Sequence, residues 1–452
     1  MHLWKGIQNM LQEITKENLS DIRNPVFREY AGLYLDIYDS FLEQVELQGV
    51  PFHKNTKNLG EKEQLLLKLR ALPDISVRCE ESSIVYGNLS PACEKCKQGI
   101  GSVTCHISFC CHRNCFFCFN PNQDNYKAGL VPNDEWRKEL EGIKQAGGEL
   151  EHIALTGGEP LLHPEDAVSF FQYARALFPQ SYLRLYTSGD LLTEELAIRL
   201  RDAGLQEIRF SFKMEDPEPL QENVLANMLL AKAYIPRVMV EMPVMPDMEE
   251  QMIRLLLRLD TMGIWGINLL ELCFPYHNAA SFRARGFELK YPPYRTLYNF
   301  WYAGGLPVDG SELLALKLLC FAAENKFSPG VHYCSLENKN FGQIYQQNTL
   351  LGKPHPTFLF SPKDYYLKTV KAFGEEALTV KKLFDRRGLT RYLYDAKAGY
   401  IQFHPELSGQ LCGRSLELAV SVNVMEPRNH EVITRELKLL RALPDDCEPA
   451  FL

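Results

Sequence analysis

The sequence predicts an α/β protein built on a partial (β/α)6 TIM-like barrel, with a helical N-terminal extension and a small α+β C-terminal extension. Three observations predict it. Between residues 103 and 273, short apolar runs alternate with amphipathic stretches, giving six β-α repeats in a row, the pattern of strands and crossover helices. The connections are short, so successive strands come out parallel and adjacent. At 452 residues the chain exceeds one small core, which divides it into residues 1–98, 99–275 (the barrel) and 276–452.

The elements follow in order. Residues 1–21, with Lys5, Glu13, Lys16 and Glu17, read as an amphipathic helix rather than a signal peptide. Residues 24–47 carry Phe27, Tyr30, Leu33, Tyr34, Ile37, Tyr38 and Phe41 at three-and-four spacing, a core-facing helical stripe. A second helix over 61–72 ends at Pro73. Residues 86–101 turn to Gly, Ser, Pro and Cys, the composition of a loop, and hold the pair Cys93 and Cys96. Strands are expected at 103–109, 152–156, 182–187, 207–212, 237–244 and 267–273, and helices at 133–146, 164–178, 193–203, 219–233 and 247–262. Asn133 and Thr193 stand where helix caps belong, and Pro164 at a first turn. Beyond 275 the alternation fades. A helix at 311–323, a Cys-bearing segment at 330–335, a hairpin at 389–403 and a strand at 417–424 make up the extension.

Composition narrows the function classes. With 46% apolar and 23% charged residues the chain is ordinary for a soluble globular protein. A net charge of -8 without a basic stripe argues against a nucleic-acid partner. No apolar run reaches membrane-spanning length. Eight of the thirteen cysteines (Cys79, Cys93, Cys96, Cys105, Cys110, Cys111, Cys115 and Cys118) crowd into forty residues. In a secreted mini-protein that density means disulfides; without a signal peptide it means metal binding in a reducing cytoplasm.

The run Cys111-His112-Arg113-Asn114-Cys115-Phe116-Phe117-Cys118 is the chemical centre of the sequence. It puts three thiolates, at spacings x3 and x2, on one loop after the first barrel strand. Such a loop can hold three irons of a 4Fe-4S cluster and leave the fourth open to a ligand. Buried thiols or a structural zinc are the alternatives. Thr156-Gly157-Gly158-Glu159-Pro160 ends the second strand, and its glycines let backbone approach a ligand closely. Both motifs fall at C-terminal strand ends, where barrels carry their chemistry.

The three-cysteine loop, with an aromatic before its last cysteine and a Gly-Gly-Glu-Pro turn about forty residues on, resembles the radical SAM superfamily over about residues 100–275. The resemblance implies a 4Fe-4S cluster on Cys111, Cys115 and Cys118, S-adenosylmethionine on the open iron, Phe117 near its adenine, and Gly157, Gly158, Glu159 and Pro160 at its amine. Ser188, Ser211, Lys213 and Glu241, at the ends of the next three strands, become candidates for the ribose and the methionine carboxylate, each with a surface or capping role as the alternative. No residue beyond the cluster ligands need act as acid or base. An electron donor such as flavodoxin or ferredoxin completes the set.

Cys93-x2-Cys96 before the barrel and His332-x-Cys334 after it supply four N/S donors for an auxiliary Fe-S cluster or zinc, with Cys79 as substitute; a buried Cys334 and a separate zinc half-site are the alternative. Cys105, Cys110, Cys273, Cys320, Cys412 and Cys447 read as core thiols. Ser-Pro-x-Cys-x2-Cys-x2-Gly before the barrel and His-x-Cys-Ser after it resemble a branch related to pyruvate formate-lyase activating enzymes. The expected activity is reductive cleavage of S-adenosylmethionine to a 5'-deoxyadenosyl radical that abstracts hydrogen from a substrate, with protein, peptide and small molecule all open. A non-catalytic Fe-S or zinc redox sensor or scaffold is the competing reading. A methyl-transferring variant ranks below both, because the first hundred residues show no cobalamin-type domain.

Overall fold

Nine strands form the sheet that carries the motifs: β1 (Ile75–Arg78), β2 (Ser83–Tyr86), β3 (Ser102–His106), β4 (His152–Thr156), β5 (Tyr182–Thr187), β6 (Glu207–Ser211), β7 (Arg237–Val244), β8 (Gly266–Glu271) and β9 (Gly330–Cys334). Their order is β1-β2-β9-β8-β7-β6-β5-β4-β3. From β3 through β9 all neighbours are parallel, while β2 and β1 add antiparallel to the far edge. The sheet is an open, partial barrel. This computed structural model describes residues 11–54, 57–123, 125–298, 305–428 and 431–442.

The crossover helices are α1 (Glu135–Gln145), α2 (Pro164–Leu177), α3 (Glu194–Asp202), α4 (Glu218–Tyr234), α5 (Glu249–Met262) and α6 (Ser311–Glu324). Each forms because apolar side chains recur every three or four positions. Met252, Leu255, Leu256 and Leu259 of α5 are buried, as are Phe170, Phe171 and Ala174 of α2. Thr193 caps α3 by accepting from the Leu196 N–H at 3.2 Å, satisfying one of the donors left over at a helix start. Gly263 ends α5 in the left-handed region at φ 59°. The strands bury both faces: Ile153, Leu155, Leu183, Leu185, Ile208 and Phe210 have no exposed surface on one, and Ala154, Arg184 and Arg209 are buried on the other.

The chain divides into two units, residues 48–293 with 300–342, and residues 1–47 with 294–299 and 343–452. The first holds the sheet above. The second contains its own antiparallel sheet, ordered Leu11–Glu13, Glu431–Ala442, Leu418–Arg428, Leu367–Phe373, Tyr400–Phe403 and Tyr392–Asp395. Helices Pro25–Glu46 and Gly374–Arg386 pack on it through Phe27 and Ala31 and through Ala377, Val380 and Phe384. The hairpin expected over 389–403 and the strand over 417–424 are present here.

Several expectations are corrected. Of the helix expected over 1–21, residues 1–10 lie outside the described residues, and Leu11–Glu13 is a strand paired with Leu440–Ala442; a long partner strand overrides the local pattern. In the stripe over 24–47, Phe27 is buried, whereas Leu33 and Ile37 are 56% and 61% exposed. The stripe packs on its sheet through Phe27, Tyr30 and Tyr34. The loop over 86–101 contains a helix, Pro91–Cys96, started by Pro91 in its first turn. Residues 330–335 are the seventh parallel strand, beyond the boundary expected at 275, because Gly330–Cys334 pairs in register with Gly266–Leu270. Likewise residues 48–98 group with the sheet. Among the expected core thiols Cys105 and Cys320 are buried, Cys110 and Cys273 are half-buried, Cys412 is exposed, and Cys447 lies outside the described residues.

Candidate functional site

The loop after β3 carries Cys111, Cys115 and Cys118, and the turn after β4 carries Gly157 to Pro160. Both leave the same edge of the parallel sheet and lock together. The Gly158 N–H donates to the Ser108 carbonyl at 2.9 Å, the Glu159 N–H to the Cys110 carbonyl at 2.8 Å, and Asn120 Nδ2 to the Gly157 carbonyl at 2.7 Å. A Cβ on Gly158 would collide with the Cys110 carbonyl, and one on Gly157, at φ 123°, with that of Ser108. The glycines are therefore required by the cysteine loop lying against them.

Glu159 is buried at 2% exposure, and its carboxylate is held by donors of the protein. Oε1 accepts from the Leu161 N–H at 2.9 Å and the Thr187 hydroxyl at 2.7 Å; Oε2 accepts from the Ser188 N–H at 2.5 Å and hydroxyl at 2.6 Å. Three donors are committed to the carboxylate, and the fourth, the Ser188 hydroxyl, is shared with Asp190. Together the Glu159 carboxylate and the Ser188 hydroxyl tie the end of β4 to the end of β5. The carbonyls of Glu159 and Pro160 accept from Leu162 and His163, closing the turn as a short 3-10 helix over Pro160–Leu162.

The three thiols are partly accessible: Cys111 is exposed, Cys115 and Cys118 half-buried. Burial pushes all three up, Cys115 to about 12, and repulsion from Cys118 adds to it at both Cys111 and Cys115. The Lys213 ammonium acts in the opposite direction on every one of them. Lys213 itself is 7% exposed, with Nζ donating to the Ser211 carbonyl at 3.0 Å. A buried cation facing three converging thiols is the environment of a bound anionic group. Among the described residues no three His, Cys, Asp or Glu side chains stand close enough to hold a single metal ion.

Other expected residues are placed as follows. Phe117 is half-buried, edge-on to Phe116 at 5.2 Å. Ser211 ends β6, in register beside Glu241 of β7. Glu241 accepts from Arg209 Nη1 at 2.8 Å and Asn268 Nδ2 at 3.0 Å, which holds it in a polar row across the sheet. His332, expected as a metal ligand, belongs to the same row: Nδ1 is 3.1 Å from Asn268 Oδ1 and Nε2 is 2.9 Å from Ser83 Oγ. Both ring nitrogens are thus hydrogen-bonded within the row. Cys79 is buried in the turn between β1 and β2, at φ 48°.

Sequence reasoning missed the clamp on the cysteine loop. Arg113 pairs with Asp216, after β6, and with Asp190, after β5, at 3.7 Å; His112 Nε2 meets Asp190 at 2.7 Å. The side chains of Arg113, Asp190 and Asp216 are 9%, 10% and 15% exposed. The available signal was a cation between the first two cysteines of the loop and an acid after each of two later strands. Asn120 carried none.

Known proteins resemble the chain over parts of its length. Residues 106–259 match the model of the Radical SAM superfamily. A Methanocaldococcus jannaschii protein named as a glycyl-radical enzyme activating enzyme is 28% identical over 274 residues, covering 59% of this chain and 68% of that one. The PqqA peptide cyclase of Bradyrhizobium diazoefficiens is 31% identical over 112 residues, 25% of this chain and 28% of the cyclase. Among solved structures, anSMEcpe with bound AdoMet and the Cp18Cys peptide aligns with a TM-score of 0.31 at 17% identity, covering 38% of this chain and 51% of that one. The chain thus spans about a quarter of the cyclase and half of the structural neighbour. The chain therefore carries a radical SAM enzyme domain over residues 106–259, and it is similar to a relative named as an activating enzyme of glycyl-radical enzymes.

Proposed function

We propose that the chain binds a 4Fe-4S cluster on Cys111, Cys115 and Cys118 and S-adenosylmethionine beside it, and acts on a protein or peptide substrate. The observation that carries this reading is the convergence of three partly accessible thiols on a buried ammonium, Lys213, at the edge of the sheet where the glycine turn also lies. When bound, the cluster supplies the electron that splits the sulfonium S–C5' bond, giving methionine and a 5'-deoxyadenosyl radical that abstracts hydrogen from the substrate.

The chain's own residues set the geometry. Lys213 favours the thiolate form of the ligands and offsets their repulsion. Arg113, gripped by Asp190 and Asp216, fixes the loop between the first two cysteines. Glu159 holds the glycine turn rigid from within. The Gly158 carbonyl, which among the described residues accepts no hydrogen bond within the protein, is available to an ammonium group. Phe117 offers a flat apolar face beside Cys118, suited to stacking with an adenine. The names of the archaeal relative and the cyclase support a protein or peptide substrate. Every described cysteine is a free thiol, which suits a cytoplasmic enzyme fed by a donor such as flavodoxin or ferredoxin.

The test is anaerobic reconstitution with iron and sulfide, followed by S-adenosylmethionine and dithionite. The reading requires 5'-deoxyadenosine and methionine in equal amounts from the wild type and neither from Cys115→Ala. No 5'-deoxyadenosine from an iron-loaded wild type would end it.

A further inference from the structure

The polar face of the parallel sheet, which carries Glu207, Arg209, Glu241 and Asn268, also carries a cation that the protein leaves unpaired. Side chains alternate along a strand and register partners point the same way, so Arg184 of β5, opposite Ala154 of β4 and Glu207 of β6, belongs to this face. Arg184 is 8% exposed, and its Nε is buried without a hydrogen-bond partner. Its terminal nitrogens make no hydrogen bond or ion pair with any described residue, and they are not sealed from solvent.

The acids nearby are already taken. Glu207 Oε1 accepts from Arg209 Nε at 2.6 Å, and Oε2 accepts from the Ser90 hydroxyl at 2.7 Å and the Tyr182 hydroxyl at 2.9 Å. Glu241 is held by Arg209 and Asn268. What Arg184 does meet is the Tyr186 ring, with 5.1 Å from guanidinium carbon to ring centroid; Arg209 lies 5.4 Å from the same centroid. Such a contact orients the guanidinium without neutralising it.

A guanidinium withdrawn from water with no anion beside it is costly to a folded chain. A group arriving from outside would offset that cost, and this face has room for one. Leu185 and Val240, on the opposite face, have no exposed surface, whereas their neighbours Tyr186 and Glu241 stay partly open to solvent in mid-sheet, Glu241 by 21% of its side chain. Ala154, in register with Arg184, adds little bulk. A single positive charge lacks a partner here, and the carboxylates of Glu207 and Glu241 repel excess negative charge, so a monoanion fits better than a phosphate dianion. The free end of the planar guanidinium matches the two oxygens of a carboxylate.

We propose that Arg184 binds a carboxylate group of the substrate. The residue stands three positions before Thr187, the last of β5 (187 less 184), hence about 10 Å back along the strand from the edge where the cysteine loop and glycine turn lie. Given the proposed function above, on which this point rests, the substrate carries its carboxylate about 10 Å from the hydrogen that is removed.

The test uses the full chain, reconstituted anaerobically, with acetate as the carboxylate probe. Its thermal unfolding midpoint is followed in sodium acetate against sodium chloride at constant ionic strength. Acetate is expected to raise the wild-type midpoint above its value in chloride. Arg184→Met abolishes that rise, and Arg184→Lys, which keeps the charge and loses the fork, needs at least about tenfold more acetate for the same rise. Arg199→Met, which loses a surface pair with Glu165, responds as the wild type does. No rise in the wild type, an equal rise in Arg184→Met (or in Arg184→Lys, should the methionine variant not fold), or a larger rise with phosphate than with acetate each overturns the proposal. Neither S-adenosylmethionine nor 5'-deoxyadenosine enters the measurement, so such a result leaves the reading of the β3 loop untouched, and a wild type that forms no 5'-deoxyadenosine leaves carboxylate binding at Arg184 untouched.

Discussion

Glu159 gives the sharpest test of how the glycine turn works. If its carboxylate is an internal tie, replacing it alters stability before it alters ligand binding. Glu159→Ala strands the Leu161 and Ser188 N–H groups in a buried place; the Ser188 hydroxyl has Asp190 as a second partner. Each stranded N–H costs about 1–3 kcal/mol, so the alanine variant should lose about 2–6 kcal/mol. Glu159→Gln keeps Oε1 for Leu161 and Thr187. It turns an amide N–H toward the Ser188 N–H, so its loss is about 1–3 kcal/mol. The assay is urea unfolding of the cluster-free protein beside calorimetric titration with S-adenosylmethionine. The expected order of stability is wild type, Gln, Ala. If both variants unfold at the wild-type midpoint while affinity collapses, Glu159 grips the ligand and the reasoning is wrong.

The remaining predictions concern neighbouring parts. Gly158→Ala drives a methyl group into the Cys110 carbonyl and displaces the cysteine loop, so reconstituted iron should fall well below wild type at unchanged far-ultraviolet circular dichroism. Arg113→Met leaves Asp190 and Asp216 buried without their shared cation. Removing one partner of a buried ion pair costs about 3–5 kcal/mol, measurable by urea unfolding, and the cluster should be lost faster to a chelator. Burial, with Arg78 and Arg209 nearby, pulls the His332 imidazole down from 6.5 to about 3. The unfolded chain then takes up a proton that the folded chain refuses, so stability is complete above pH 6.5 and drains away as pH falls toward about 3. At about pH 5 the loss is about 2 kcal/mol, taking about 1.4 kcal/mol per pH unit. His332→Gln should flatten that slope in unfolding midpoints measured from about pH 7 to about pH 5.

The barrel was readable from sequence because its signal is local. Residues 182–187 and 237–244 are strands over the expected residues, since apolar runs bounded by turns need no partner to be recognised. Elements defined by long-range pairing were not readable. His332 and Cys334 drew attention as ligands and hid that residues 330–334 form a fully buried seventh strand. Leu11–Glu13 became a strand through a partner more than 400 residues away. At the site, the three cysteines and two glycines were visible as types at fixed spacing. What those residues touch was not: that Glu159 faces inward, that Lys213 faces all three thiols, and that Arg113 reaches two aspartates depend on loops from four strands meeting at one edge.

The account's central claim is that one iron on the Cys111, Cys115 and Cys118 loop is open to S-adenosylmethionine. Electron paramagnetic resonance of the reconstituted, dithionite-reduced protein tests it most directly, with Cys115→Ala as the control that removes the signal of the β3 loop. The account predicts a single reduced-cluster signal whose g values shift on adding S-adenosylmethionine and do not shift with S-adenosylhomocysteine. A reduced-cluster signal that S-adenosylmethionine leaves unmoved would contradict it.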